Sequence, residues 1–276
     1  MSVATRTAHD GLTLPLIGLG TYGLNDADGV AAMLSAIESG YRLIDTAVNY
    51  GNEESVGEVI RQSPVPREDL IIATKLPGRH HGFDETMASF DESRRRLGVD
   101  RIDLYLIHWP NPSVNRYVDS WQAMIELAGD DLVGSIGVCN FTQPMLERLG
   151  STTGVLPSVN QVELHPYFSQ GPLRDFHQAH GILTQAWSPL GRKSDLLENS
   201  VLADIARSHG VSVTQVVLRW HVQQGIVAIP KSSDAQRQQQ NLAVFDFELA
   251  DEDMARIAEL ERGRIWGADP DTHEEM

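Results

Sequence analysis

The sequence predicts an α/β protein folded as a (β/α)8 TIM barrel, one domain over residues 1–276. Three observations predict it. Eight short apolar runs of strand length recur along the chain, separated by amphipathic, helix-like stretches. Several runs are continuously apolar, as strands covered on both faces are. Nearly every run ends on a polar, ionisable or aromatic residue, and the C-terminal strand ends are where barrel enzymes keep their chemistry.

The elements follow in order. Residues 6–14 are expected to form a small hairpin across the bottom of the barrel, ahead of the first strand at 16–19 and a helix at 29–38. Strand 41–44 precedes helix 53–61, and strand 70–74 precedes helix 84–97, which stops before the C-cap candidate Gly98. Strands 102–107, 133–138 and 158–162 lead into helices 118–127, 144–149 and 172–180. Strand 182–186 is followed by helical stretches 201–208 and 213–223, and strand 226–229 by 235–242 and 251–260. This alternation implies parallel pairing through right-handed crossovers. A doubly wound sheet is the rival architecture. It would spread the strand ends along a line, whereas a barrel gathers them at one mouth.

Composition narrows the partners. With 41% hydrophobic and 22% charged residues the chain can bury an ordinary core. The 38 acidic residues outnumber 22 basic ones, and the net charge of −16 argues against nucleic acid and anionic membrane surfaces. Any anionic ligand therefore needs a local cluster of positive charge. The single cysteine, Cys139, forms no disulfide within the chain, which points to a reducing, cytoplasmic setting. No secretory signal is visible at the N-terminus, and no apolar stretch has the length of a membrane span. A monomer suffices for everything the sequence displays.

The residues that end the strands are Gly20-Thr21-Tyr22, Asp45, Lys75, His108-Trp109, Cys139-Asn140, Gln161, Trp187-Ser188 and Lys231-Ser232. Asp45 closes an apolar run, so its carboxylate needs a partner. Lys75 ends the next strand and can supply one. Tyr50 follows in the loop NYGNE, and a nearby ammonium favours a phenolate, which is expected to lower its pKa towards a working value. His108 can hydrogen-bond a substrate oxygen at the mouth. Taken singly, each has a structural explanation: an ion pair, a helix cap, a rim aromatic, a satisfied core histidine. Together they favour an activated acid. The other histidines show no metal-ligand spacing, and no metal is assigned.

These residues lie in motifs that resemble the aldo-keto reductase family. DTAVNYGNEESVGEVI, LIIATKL, DLYLIHWP, GVCNF, VNQVELHPY, AWSPLG and IPKSSDAQRQQQN follow in the family's order, spanning nearly the whole domain. The short loops and Trp187 are most similar to the bacterial 2,5-diketo-D-gluconate reductase branch. The resemblance implies a barrel that binds NADP(H) without a Rossmann domain and reduces aldehydes or ketones. It implies Asp45, Tyr50, Lys75 and His108 as catalytic residues, with Tyr50 as the proton donor. For the cofactor it implies Gly20, Thr21 and Tyr22 in the first loop, Asn140 and Gln161 on the carboxamide, and Trp187 on the nicotinamide. It implies Ser188, Leu190 and Gly191 along the pyrophosphate, Lys231, Ser232 and Arg237 on the 2′-phosphate, and Gln240 and Asn241 on the adenine.

Three positions depart from the family pattern. Cys139 replaces a serine, Gln240 replaces a glutamate, and Asp234 stands beside the expected phosphate site. Asp234 either caps the helix that follows or repels the phosphate, so NADH stays an alternative to NADPH. Tyr22, Trp109, Trp187, Val48, Asn49 and the distant Trp266 are expected to wall the substrate pocket. Short loops after His108 and Trp187 predict an open pocket, and the tail with Trp266 and His273 either folds over it or stays mobile. GLGTYG matches the G-x-G-x-x-G fingerprint, but the turn-like LNDADG after Gly23 delays the helix. Its glycines are read instead as letting the first loop approach the nicotinamide and set Tyr22 over the pocket. Two other functions compete: a Schiff-base lyase using Lys75, and a binding protein without turnover.

Overall fold

The structure, a computed structural model, describes residues 4–192 and 194–275. In chain order the elements are β1 (Thr5–Thr7), β2 (Thr13–Pro15), β3 (Leu19–Gly20), α1 (Asp26–Ser39), β4 (Leu43–Asp45), α2 (Glu53–Gln62), β5 (Ile71–Leu76) and α3 (Phe83–Leu97). They continue as β6 (Ile102–Ile107), α4 (Tyr117–Gly129), β7 (Val133–Cys139), α5 (Gln143–Thr153), β8 (Val159–Glu163), α6 (Gly171–His180) and β9 (Leu183–Trp187). The last are α7 (Ser200–His209), α8 (Val213–Gln223), β10 (Val227–Ala228), α9 (Ala235–Leu242) and α10 (Asp251–Ala258).

Strands β3 to β10 form one parallel sheet in sequence order. A parallel bridge from Ile17 to Ala228 closes it, with Gly18 N donating to Ala228 O at 2.9 Å and Ala228 N to Leu16 O at 2.9 Å. The barrel is thus realised and the open-sheet rival is excluded. Strands β1 and β2 pair antiparallel. Their turn lies over the N-terminal strand ends, where His9 N donates to Gly181 O and Ser158 donates to Asp10. The expected bottom hairpin is therefore present.

Two glycines of GLGTYG also have a packing task that the sequence did not show. A Cβ on Gly18 would stand 2.7 Å from the Ile229 side chain and 2.8 Å from Leu43. One on Gly20 would stand 3.1 Å from the Ile229 carbonyl. Both glycines let the first barrel strand press against the last, so they serve the closing seam. Gly23 takes a left-handed φ of 73°, which turns the chain into the loop before α1.

Candidate active site

Local chemistry sets the loops at the mouth. Asn52 is buried and its amide donates to Thr21 O at 2.8 Å and Leu24 O at 3.0 Å, while Thr46 donates to its Oδ1 at 2.7 Å. One side chain thus ties the loop after β3 to the loop after β4. Tyr50 ends a single 3-10 turn, Val48–Tyr50, and Gly51 at φ 66° reverses the chain behind it. Tyr22 meets the Tyr50 ring edge-on at 5.3 Å between centroids.

The strand ends gather as a cleft of about 730 Å³. Its lining includes Gly20, Tyr22, Asp45, Tyr50, His108, Trp109, Asn140, Gln161, Trp187, Ser188, Leu190, Lys231 and Trp266, all singled out from the sequence. Lys75 is fully buried beneath it. Its Nζ donates to Asp45 Oδ1 at 2.6 Å, Thr46 O at 2.8 Å and Tyr50 Oη at 3.4 Å. Gln161 donates to the second Asp45 oxygen at 2.8 Å, so both carboxylate oxygens are satisfied. Burial disfavours the Lys75 ammonium most, yet the Asp45 charge and hydrogen bond, together with Tyr50 and Cys139 beside it, hold the pKa above its ordinary value.

The tyrosine behaves differently from expectation. Burial pushes the Tyr50 phenol up to about 12, although the Lys75 charge pulls the other way. Desolvation outweighs the ammonium because Asp45 already neutralises much of it. Tyr50 is therefore a stored acid at neutral pH.

The remaining predicted residues divide by position. Asn140, at φ 62°, donates to His108 O at 3.0 Å and accepts from Trp187 Nε1 at 2.8 Å. Thr21 is buried with its hydroxyl on Asp45 O. Ser232 Oγ donates to Asp234 O at 3.2 Å, and Asn241 is buried. Lys231 and Arg237 are exposed around the N-terminus of α9, Gln240 is exposed in its second half, and Gly191 turns at φ 60° after Leu190. The Asp234 carboxylate accepts from Arg237 N at 2.8 Å, so it caps α9. Val48 and Asn49 lie outside the cleft lining, and the Asn49 side chain bonds to Glu275 and Arg79. No group of three or more His, Cys, Asp or Glu among the described residues could hold a metal.

Sequence reasoning missed how far the C-terminal tail reaches. Glu163 accepts from Ile265 N at 2.8 Å and Trp266 N at 3.2 Å, fixing the base of the tail. Trp266 packs edge-on against Trp187, and His273 lies 4.2 Å from the Trp109 ring. Arg192 lines the cleft and sits over both Tyr22 and Trp266. The tail narrows the mouth that short loops alone would leave open. The aromatic and basic side chains of this stretch were the available signal, but no periodicity assigned them a place.

The family model "Aldo/keto reductase family" matches residues 16–262. The 2,5-diketo-D-gluconic acid reductase B of Corynebacterium sp. (strain SHS752001) is 56% identical over 275 residues, covering 100% of this chain and 99% of that one. Morphine 6-dehydrogenase of Pseudomonas putida is 45% identical, covering 95% and 93%. Among solved structures, a single-residue variant of Gox0644 in complex with NADPH superposes with a TM-score of 0.94 at 42% identity, covering 99% of this chain and 100% of that one.

Proposed function

The chain belongs to the aldo/keto reductase family and is an NAD(P)H-dependent oxidoreductase that reduces carbonyl compounds; we propose that Asp45, Tyr50, Lys75 and His108 carry its chemistry. The observation that carries this reading is Lys75 Nζ, fully buried, held by Asp45 and in reach of Tyr50 Oη at the floor of the cleft. Tyr50 keeps its proton at Oη through neutral pH and gives it to a carbonyl oxygen only as negative charge develops there. Lys75 then faces the phenolate that remains, and Asp45 fixes the ammonium in place. His108, 5.8 Å from Tyr50 between ring centroids, orients the same oxygen.

The residues present fit a phosphorylated nicotinamide cofactor. Lys231 and Arg237 are exposed, and no carboxylate pairs with either among the described residues. On a chain of net charge −16 such unpaired cations suit a 2′-phosphate. Bound NADPH supplies the hydride for the carbonyl carbon. Gly20, Thr21, Tyr22, Asn140, Gln161 and Trp187 would hold its nicotinamide end, and Ser188, Leu190 and Gly191 its pyrophosphate. Lys231, Ser232, Arg237, Gln240 and Asn241 would hold the adenosine phosphate. With Asp234 spent as a cap, NADPH is the preferred cofactor and NADH the weaker one.

Tyr22, Trp109, Trp187 and Trp266 wall the pocket for a small carbonyl substrate. Chain 1–276 works as one barrel domain and a monomer. Its single cysteine supports a cytoplasmic setting, and no described helix is long and apolar enough to cross a membrane. The Schiff-base alternative needs a neutral amine, whereas Asp45 holds Lys75 as ammonium. Tyr50→Phe is expected to bind NADPH as the parent does and to lose at least roughly a hundredfold in aldehyde turnover. Undiminished turnover by that variant overturns the assignment.

A further inference from the structure

The tip of the tail seats a carboxylate behind His108. Glu275 Oε1 stands 2.7 Å from His108 Nδ1 and accepts from Asn49 Nδ2 at 2.7 Å. Its Oε2 accepts from Gly78 N at 3.0 Å. Asn111 grips the backbone on both sides, accepting from Glu275 N at 3.0 Å and donating to Glu275 O at 2.6 Å. Ser113 N donates to Glu274 Oε1 at 2.8 Å. Gly78 makes the seat possible, because a Cβ there would run into the Asn111 amide and the Glu275 carbonyl. Burial alone would raise the Glu275 carboxyl, but His108, Gly78 and Asn49 hold it below the ordinary carboxylate range.

Glu275 is absent from the lining of the cleft, while His108 is part of it. The carboxylate therefore approaches His108 from behind, and the ring is left to meet substrate with its other edge. The reach is long in sequence, from residue 108 to residue 275, and both ends of the tail are pinned.

We propose that Glu275 is a positioning residue for His108: its carboxylate, 2.7 Å from Nδ1, keeps the ring proton on Nδ1 and so presents Nε2 to the cleft. This rests on the catalytic reading given above. A carboxylate acceptor at Nδ1 selects one tautomer of the neutral ring and fixes its rotation. Nε2 then accepts a hydrogen bond when the ring is neutral and donates one to the carbonyl oxygen when the ring carries both protons. Seating of the tail tip and orientation of His108 thus depend on the same contact.

The test uses full-length protein labelled with ¹⁵N at histidine, with the His108 signals assigned by their loss in His108→Gln. In the parent, Nδ1 is expected to carry the proton. Glu275→Ala is expected to move it to Nε2 and to lower kcat by roughly tenfold to a hundredfold, with NADPH affinity unchanged. Glu275→Gln keeps an acceptor oxygen and is expected to restore the parent tautomer and most of kcat. Gly78→Ala, which displaces the tip while leaving Glu275 in the chain, is expected to reproduce the Glu275→Ala nitrogen shifts. Parent-like nitrogen shifts in both Glu275→Ala and Gly78→Ala overturn the proposal, as does an unchanged kcat in Glu275→Ala. Failure of the catalytic reading shows separately, as parent-like turnover by Tyr50→Phe.

Discussion

Replacing Lys75 by methionine separates charge from shape at the centre of the site. The side chain is fully buried, and its ammonium is 2.6 Å from Asp45. Methionine fills most of the same volume but leaves a buried carboxylate without its counter-charge. Removing one partner of a buried pair costs about 3–5 kcal/mol. Asp45 retains the Gln161 amide at 2.8 Å, so the cost should fall near the lower end, about 3 kcal/mol. For a chain of this size that corresponds to a melting point lowered by roughly 6–12 °C. Because the folded pKa of Lys75 lies above its ordinary 10.5, the pair's contribution is complete below that pH and lost only as pH rises beyond it. A melt at neutral pH therefore samples all of it. Turnover, followed by NADPH absorbance, should fall at least roughly a hundredfold, since Tyr50 loses the charge that faces its phenolate. The double variant Asp45→Asn/Lys75→Met removes both charges and should recover much of the stability but none of the turnover. If Lys75→Met melts like the parent, the unpaired-charge reasoning is refuted. If it turns over like the parent, so is the role of Lys75 beside Tyr50.

Two further outcomes follow from the same structure. Asp234→Ser keeps a cap on α9 and removes a negative charge near Lys231 and Arg237, so NADPH should bind several-fold tighter with NADH little changed; equal gains for both cofactors would count against the phosphate site. His177 and His221 are fully buried, and burial holds them down to about 3 and about 4, below the ordinary 6.5. The unfolded chain therefore binds protons first on acidification, so the stability these rings contribute is present above pH 6.5 and lost as pH falls towards 4. A melting point that is flat across that window would contradict their neutral burial.

Much of the site was legible because its residues close apolar strands. Asp45, Lys75, His108 and Gln161 each follow a run that must be buried, so each stands at the edge of the core, and eightfold alternation brings those edges together. Tyr50 was legible by its short distance from Asp45. Its raised pKa was not, because the balance between burial and the Lys75 charge depends on how completely the loops cover the ring. The glycines of GLGTYG marked an important place under a misleading pattern. For Gly18 and Gly20 the reason is the approach of Ile229 across the closing seam, more than two hundred residues away in the chain.

The sequence by itself therefore determined the barrel, the register of chemistry along its strands and the family. All of these are written in local periodicity and in short motifs. Only the tertiary structure decided that Glu163 anchors the tail, that Arg192 lies over Tyr22 and Trp266, and that Glu275 rather than a neighbouring carboxylate meets His108. In the stretch DTHEEM nothing local distinguishes one acidic residue from the next. The choice is made by a niche whose donors come from the separate segments that carry Asn49, Gly78 and His108, and such a convergence exists only once the barrel has closed.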